Sequence, residues 1–522
     1  MNNDETRGEL ILKEDLSDLS TDVLIEKIGV LANSAVDRKT RERFQEAIAL
    51  SEAAKKRELS RLQLAELNYA VANAWGGLHQ LSISGEADVW KWEQEAIEKQ
   101  LIHLRQAVNF LEKEGSEQPP EMACPIYTNL AATLYHIGRF VEAVEYWDKV
   151  LAMTPSFSMA RGNRGYALIH YAHALYDEAQ ALILLQHAYE DLKKALENGV
   201  EAHARPVFEN YFNDLQSVFP EGGKIETIDL NPFSSGNTEE EKTYRAWCIS
   251  NRLFLNPLND LGSYAAAGTD ILSPPSIVMK KGDVPYYHGY FNQMKQEFVS
   301  ARWMFYDAIH NSVKHHSDNH VLMFDTLDHP VYGLAAEKLK LSFRMTYALF
   351  DKIAFFLNRY LDLAIDDRKV NFRTFWYQSG KKIQGLKTEL ANSQNWPLRG
   401  LFWLSKDLYE DEPGFKDALE PDARQIHAVR NQLEHQFFKL HDTQWNSSPV
   451  EAEINASSEA FGFSMTVSDF TGKTLKILKM VRAALIYLSL SVHSEEIRRS
   501  EERAGGSEIS VKELPVLKQG DP

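Results

Sequence analysis

Cysteine is nearly missing from this chain: Cys124 and Cys248 are far apart and sit in no Cys-x-x-Cys spacing. Two such residues exclude a disulfide framework and a zinc-ribbon site, and are expected to be packed thiols. Long apolar runs are missing as well. None reaches the roughly 18 residues needed to span a bilayer, and the polar, acidic start MNNDETRGELILKEDLSDL lacks the basic-then-apolar order of a signal peptide. A cytoplasmic protein without a membrane partner is expected. Positive charge is also in deficit. A formal net charge of -17 excludes a protein that coats nucleic acid over its whole surface, so any phosphate contact must be a small, local basic site.

Missing motifs narrow the chemistry further. The sequence has no GxxxxGK[ST] loop, no GxSxG elbow, no GxGxxG after a strand and no HExxH. No cofactor and no metal are expected. His310, His315, His316 and His320 in and around NSVKHHSDNH read as a solvated loop, because their spacing does not make a helical i,i+4 ligand pair.

What the sequence does contain is helix. With 522 residues, 44% hydrophobic and 25% charged, the composition is that of a soluble protein with two or three domains. The expected class is all-α, an N-terminal helical superhelix followed by an antiparallel helical bundle. Residues 20–215 are read as repeats, 216–285 as an irregular connecting segment, 286–500 as the bundle, and 501–522 as a disordered tail. The clearest repeat is CPIYTNLAATLYHIGRFVEAVEYWDKVLAMTPSF, residues 124 to 157. It matches the tetratricopeptide pattern, with Tyr127, Leu130, Ala131, Leu134, Gly138, Ala143, Trp147, Val150 and Pro155 in the packing and turn positions. Looser copies upstream and downstream predict three to five stacked hairpins.

In the bundle, Phe291, Met294, Phe298, Ala301, Phe305 and Ala308 form one apolar stripe, and Leu339, Phe343, Tyr347, Phe350, Ala354, Leu357 and Leu361 a second. Leu475, Leu478, Val481, Leu485, Leu488 and Val492 form another. Between them lies AVRNQLEHQFFKL, residues 428 to 440. At about 100° per residue, Ile426, Val429, Leu433, Phe437 and Leu440 fall on a core face. Arg424, His427, Asn431 and His435 fall opposite, with Phe438 among them. An outward aromatic framed by polar groups marks a face that meets another surface, so Phe438 is expected at a dimer contact.

Arg430 and His435 are five positions apart and diverge by about 140° on a straight helix. Gripping one phosphate then requires an irregular helix or a twofold axis that brings two copies together. The residue types suit cleavage of RNA by its own 2'-hydroxyl: histidine moves the proton near neutral pH, and arginine stabilises charge on the phosphoryl oxygens. A plainer alternative is a surface helix with an Arg430–Glu434 i,i+4 ion pair.

RNQLEH resembles the R-x4-6-H motif of HEPN domains, in which a polar residue, often Asn, follows the arginine. The resemblance extends over roughly residues 286–500. It implies a metal-independent endoribonuclease, a homodimer or larger even oligomer, acting on RNA as a toxin or anti-phage effector and leaving 2',3'-cyclic phosphate and 5'-hydroxyl ends. Arg430, His435 and Asn431 would be catalytic, with Arg424, His427 and Glu434 supporting them or touching RNA. The tyrosine motif of HEPN toxins silenced by a nucleotidyltransferase is replaced here by HQFFKL, so that control is not expected. The competing reading is a non-catalytic scaffold whose repeats hold a peptide and whose bundle merely dimerises.

Overall fold

Apolar residues recurring every three or four positions, with short polar breaks, dictate helices. The computed structural model describes residues 19–38, 41–115, 120–218, 230–231, 236–279, 282–311, 314–326, 328–442, 463–503 and 514–515. Over these residues the fold is all-α apart from two four-residue strands. Most of the 219–235 linker and of the 501–522 tail lies outside the described residues. No described helix is long and apolar enough to cross a membrane.

Among the described residues the N-terminal half contains nine helices of three turns or more, α1 (Thr21–Arg38), α2 (Arg41–Ala54), α3 (Arg61–Ser82), α4 (Glu95–Glu114), α5 (Ala123–His136), α6 (Phe140–Met153), α7 (Ser158–Ala174), α8 (Glu178–Asn198) and α9 (Arg205–Val218), and a single turn at Glu86–Val89. Each of the nine packs on its neighbour in sequence, so the helices stack as successive hairpins. Local chemistry sets their ends. Ser60 and Gln63 form a reciprocal capping box at the start of α3, and Gly115 closes α4 in the left-handed conformation at φ 65°. Between α5 and α6, Tyr127, Leu130, Ala131 and Leu134 are buried with Ala143, Trp147 and Val150. Pro155 is different. It is exposed in the turn after α6, where it ends the helix and packs little.

Gly138 shows why the α5–α6 turn needs glycine. Its φ is +89°, and a Cβ there would lie 2.5 Å from the Trp396 carbonyl oxygen and 2.9 Å from Gly400 N. The turn is thus pressed against a helix from the other half of the chain.

That half contains α10 (Glu239–Ser250), α11 (Tyr286–His310), α12 (Leu334–Tyr360), α13 (Trp396–Ser405), α14 (Ala423–His435) and α15 (Val467–Arg503). The stretch before α11 is irregular, as expected, yet it does not span solvent. Asn256, Leu258, Asn259, Asp260 and Leu261 are buried. Asp260 accepts from Arg482 of α15 at 2.6 Å and from the Tyr171 hydroxyl of α7 at 2.9 Å, which ties the halves into one core.

The α11 and α12 stripes are buried where the periodicity put them, with Ala308 and Leu361 at their partly exposed ends. Helix α15 departs from expectation. It is buried on every side from Met480 to Val492, because it runs between α11–α12 on one flank and α13 and the hairpins on the other. Helix α13, with the sequence WPLRGLFWLS, is buried from Pro397 to Ser405 and too short for a period to show. Its start was nevertheless written locally: the Asn395 side chain accepts from Leu398 N, and Pro397 occupies the first turn.

Candidate active site

Helix α14 carries the RNQLEH segment and ends earlier than its periodicity predicts. Gln436 turns extended at φ -141°, ψ -159°, and Phe438–His441 become strand β1. Strand β1 pairs in parallel with β2 (Phe463–Thr466), Phe438 opposite Phe463. The aromatic pair favours a pleated surface. Lys439 anchors the strand through a buried ion pair to Asp328 at 2.6 Å. None of this is local. The pairing partner lies 25 positions along from each strand residue.

The break inverts two assignments. Phe438, expected outside as a dimer contact, is 6% exposed and packs on Phe463 and Phe470. Phe437, expected in the core, is 48% exposed. One residue of backbone extension exchanges the two faces, as alternation along a strand requires.

The end of α14 opens onto a pocket of about 480 Å³. Arg430, Glu434 and His435 form one wall. Helix α12 supplies the opposite wall with Phe343, Arg344, Tyr347, Asp351, Lys352 and Phe355, and Tyr290 of α11 closes one side. Despite their 140° divergence on an ideal helix, Arg430 and His435 therefore share a cavity, since His435 is the terminal helical residue and arginine reaches across the gap.

The charges divide into paired and free. Arg344 donates to both Glu434 oxygens, at 2.9 and 3.0 Å, so the expected Arg430–Glu434 pair is replaced by a bidentate bridge between helices. These hydrogen bonds hold the Glu434 carboxyl below its usual range. Lys352 pairs with Glu297 at 2.6 Å. Arg430 is left without a carboxylate partner among the described residues, its guanidinium lying 5.4 Å from the centre of the Tyr347 ring. Burial raises the Asp351 carboxyl, against the pull of a hydrogen bond from Phe372 N at 2.9 Å and of the Arg430 charge.

The remaining residues of the motif helix point elsewhere. Asn431 Nδ2 donates to His427 Nε2 at 2.8 Å, and the buried His427 ring packs edge-on to Tyr409 at 5.0 Å. Arg424 lies 5.5 Å from the centre of the Tyr409 ring and lines a separate cavity of about 730 Å³ beside Glu98 and Glu420. The structure brings Arg430, Glu434 and His435 together and leaves Asn431, His427 and Arg424 outside that pocket. Sequence reasoning missed Arg344, Lys352 and Asp351. They flank the apolar stripe of α12, Arg344 about two helical turns before Asp351 and Lys352, and only the approach of α14 gives them a common target. Among the described residues no group of histidine, cysteine and acidic side chains is arranged to hold a metal.

This half of the chain has a long buried helix, two amphipathic helices beside it and a short helix that presents Arg430 and His435 to a cleft. Residues 278–495 match the model of the LA2681-like HEPN family. No curated protein and no solved structure matches the chain.

Proposed function

We propose that this protein is a metal-independent endoribonuclease whose centre is Arg430 and His435. The observation that carries the reading is Arg430, unpaired among the described residues, sharing one cavity with an exposed His435, beside the rings of Tyr290, Tyr347 and Phe355. An RNA phosphate in that cavity meets a planar guanidinium, a base finds aromatic faces to stack on, and the histidine takes the 2'-hydroxyl proton. Asn431 acts at one remove, fixing His427 and the orientation of α14. The helical hairpins are read as tetratricopeptide-like and as the regulatory part of a toxin or anti-phage effector.

The active form is read as a homodimer or larger even assembly. With Phe438 buried, the contact moves to the exposed apolar run Val321 to Phe324, in which Leu322 and Phe324 are 97% and 95% exposed, together with Phe437. This run leads through Asp328 and Val331, both bonded to β1, toward the end of α14.

A second reading, a scaffold with an inactive bundle, draws on the carboxylates Asp351, Asp367 and Glu434 that line the same cavity and oppose a polyanion. Incubation of a mixed RNA pool in EDTA separates the two. Wild type is expected to leave 2',3'-cyclic phosphate ends, and Arg430→Ala or His435→Ala to lose about a hundred-fold or more in cleavage rate. Equal cleavage by wild type and both variants removes these residues from the mechanism.

A further inference from the structure

The junction between α13 and the hairpins buries a cation that nothing among the described residues neutralises. Arg399 of α13 is 2% exposed, and its Nε and Nη2 are buried without a hydrogen-bond partner. No described carboxylate pairs with it, and buried acids elsewhere at the junction are already taken: Asp407 by Arg105 and Arg139, and Glu142 by Arg139 and Tyr487. Leaving a charge uncompensated in an interior is costly, and buried donors in native proteins almost always find an acceptor.

Its surroundings are poised for an acceptor too. His79 of α3 and His136 at the end of α5 meet edge to face with centroids 5.2 Å apart, and His79 Nε2 is also buried and unpartnered. Gln94 donates through Nε2 to the carbonyls of Asp88, Val89 and Lys91, which fixes its amide. Its Oε1 therefore accepts from His136 Nε2 at 3.2 Å. Burial and then the Arg399 charge lower both histidines, His136 to about 3, so neither supplies nor cancels charge near neutral pH. Trp396, one turn before Arg399, adds an aromatic wall with Tyr135 at 5.3 Å and Phe140 at 4.4 Å.

We infer that Arg399 is the anchor of an oxyanion-binding site between α3, α5 and α13, taking a carboxylate or phosphate group of a small ligand. Nε and Nη2 are the side edge of the guanidinium, the two parallel donors that grip an oxyanion in a fork. A ligand held there contacts the hairpins and the bundle at once, because the Gly138 turn rests directly on Gly400 beside Arg399. The site is separate from the Arg430 pocket and stands or falls independently of RNA cleavage.

The test is thermal melting and calorimetric titration of the full chain with inorganic phosphate and, separately, acetate, at ionic strength held constant with chloride. At least one anion is expected to raise the wild-type melting temperature. Arg399→Met is expected to lose about ten-fold or more in affinity for it, and to melt above wild type when no anion is present, since the uncompensated charge is gone. Arg399→Lys, which keeps the charge and loses the fork, is expected to fold and bind more weakly than wild type. A response to phosphate alone assigns a phosphate ligand, and a response to acetate alone a carboxylate. A wild type indifferent to both anions overturns the site. So does an Arg399→Lys protein that responds as strongly as wild type, or an anion-free Arg399→Met protein that melts below it.

Discussion

Arg139 and Arg430 make opposite use of the same side chain. Arg139, in the α5–α6 turn, is buried with its guanidinium divided between Asp407 at 2.6 Å and Glu142 at 2.6 and 2.9 Å. Arg105 of α4 joins it on Asp407. Arg430 is half-buried, has an aromatic ring beneath it and no carboxylate partner among the described residues, and faces a cavity. The difference teaches which cations in this acidic protein are structural. Arg105 and Arg139 carry their counter-charge within the junction, whereas Arg399 at the same junction and Arg430 at its cavity have no carboxylate partner among the described residues.

The strongest way to break that comparison is Asp407→Ala, which removes the shared carboxylate of two buried arginines and leaves Arg139 only Glu142 and Arg105 only Glu420 at 3.9 Å. It is expected to cost about 3–5 kcal/mol, read as a drop in urea midpoint. The sign with pH follows from the carboxylate. Burial opposes its ionisation, but Arg105 and Arg139 more than offset this and hold the carboxyl below the usual range. Its contribution is therefore present above the unfolded-state pKa near ~4 and is lost as pH falls through the acid range. The gap between wild type and Asp407→Ala should narrow on acidification; a constant gap would remove the charge from the explanation.

Next comes the pair that distinguishes the faces of HQFFKL. Phe438→Ala is expected to destabilise by about 3 kcal/mol, near the lower end for truncating a buried aromatic. Phe437→Ala should stay within about 0.5 kcal/mol in dilute solution, while weakening self-association at higher concentration. Equal losses of stability would mean that the helix continues through both residues. The smallest effect is expected from Arg344→Ala. Its bridge to Glu434 is partly exposed and adds about 0–1 kcal/mol to stability. Its removal frees Glu434 beside Arg430, so RNA cleavage should fall while the melting temperature hardly moves.

The hairpins and the long bundle helices were legible because they are local. Tyr127, Leu130, Ala131 and Trp147 meet through spacings of three and four and across one short turn, and each is buried. Arg430 and His435 stood out through residue type. Their shared cavity did not, because helical periodicity continues α14 into QFFKL and places Phe438 on the wrong side. The strand that stops the helix depends on Phe463 and on Asp328, both remote in sequence. Asn431 shows the same limit, since its partner His427 faces Tyr409 and not the cavity.

By itself the sequence determined an all-helical chain, the hairpin packing positions, the two amphipathic stripes of α11 and α12, and a short polar motif on a helix of its own. These depend on propensity and periodicity, which act within a few residues. Tertiary structure alone decided where α14 ends, which arginines carry a counter-charge, and that Arg344, Asp351 and Lys352 join Arg430 and His435 around one cavity. Those outcomes depend on which acids and rings arrive from distant segments, and electrostatic pairing in a buried site is settled by distance in space and not by separation along the chain.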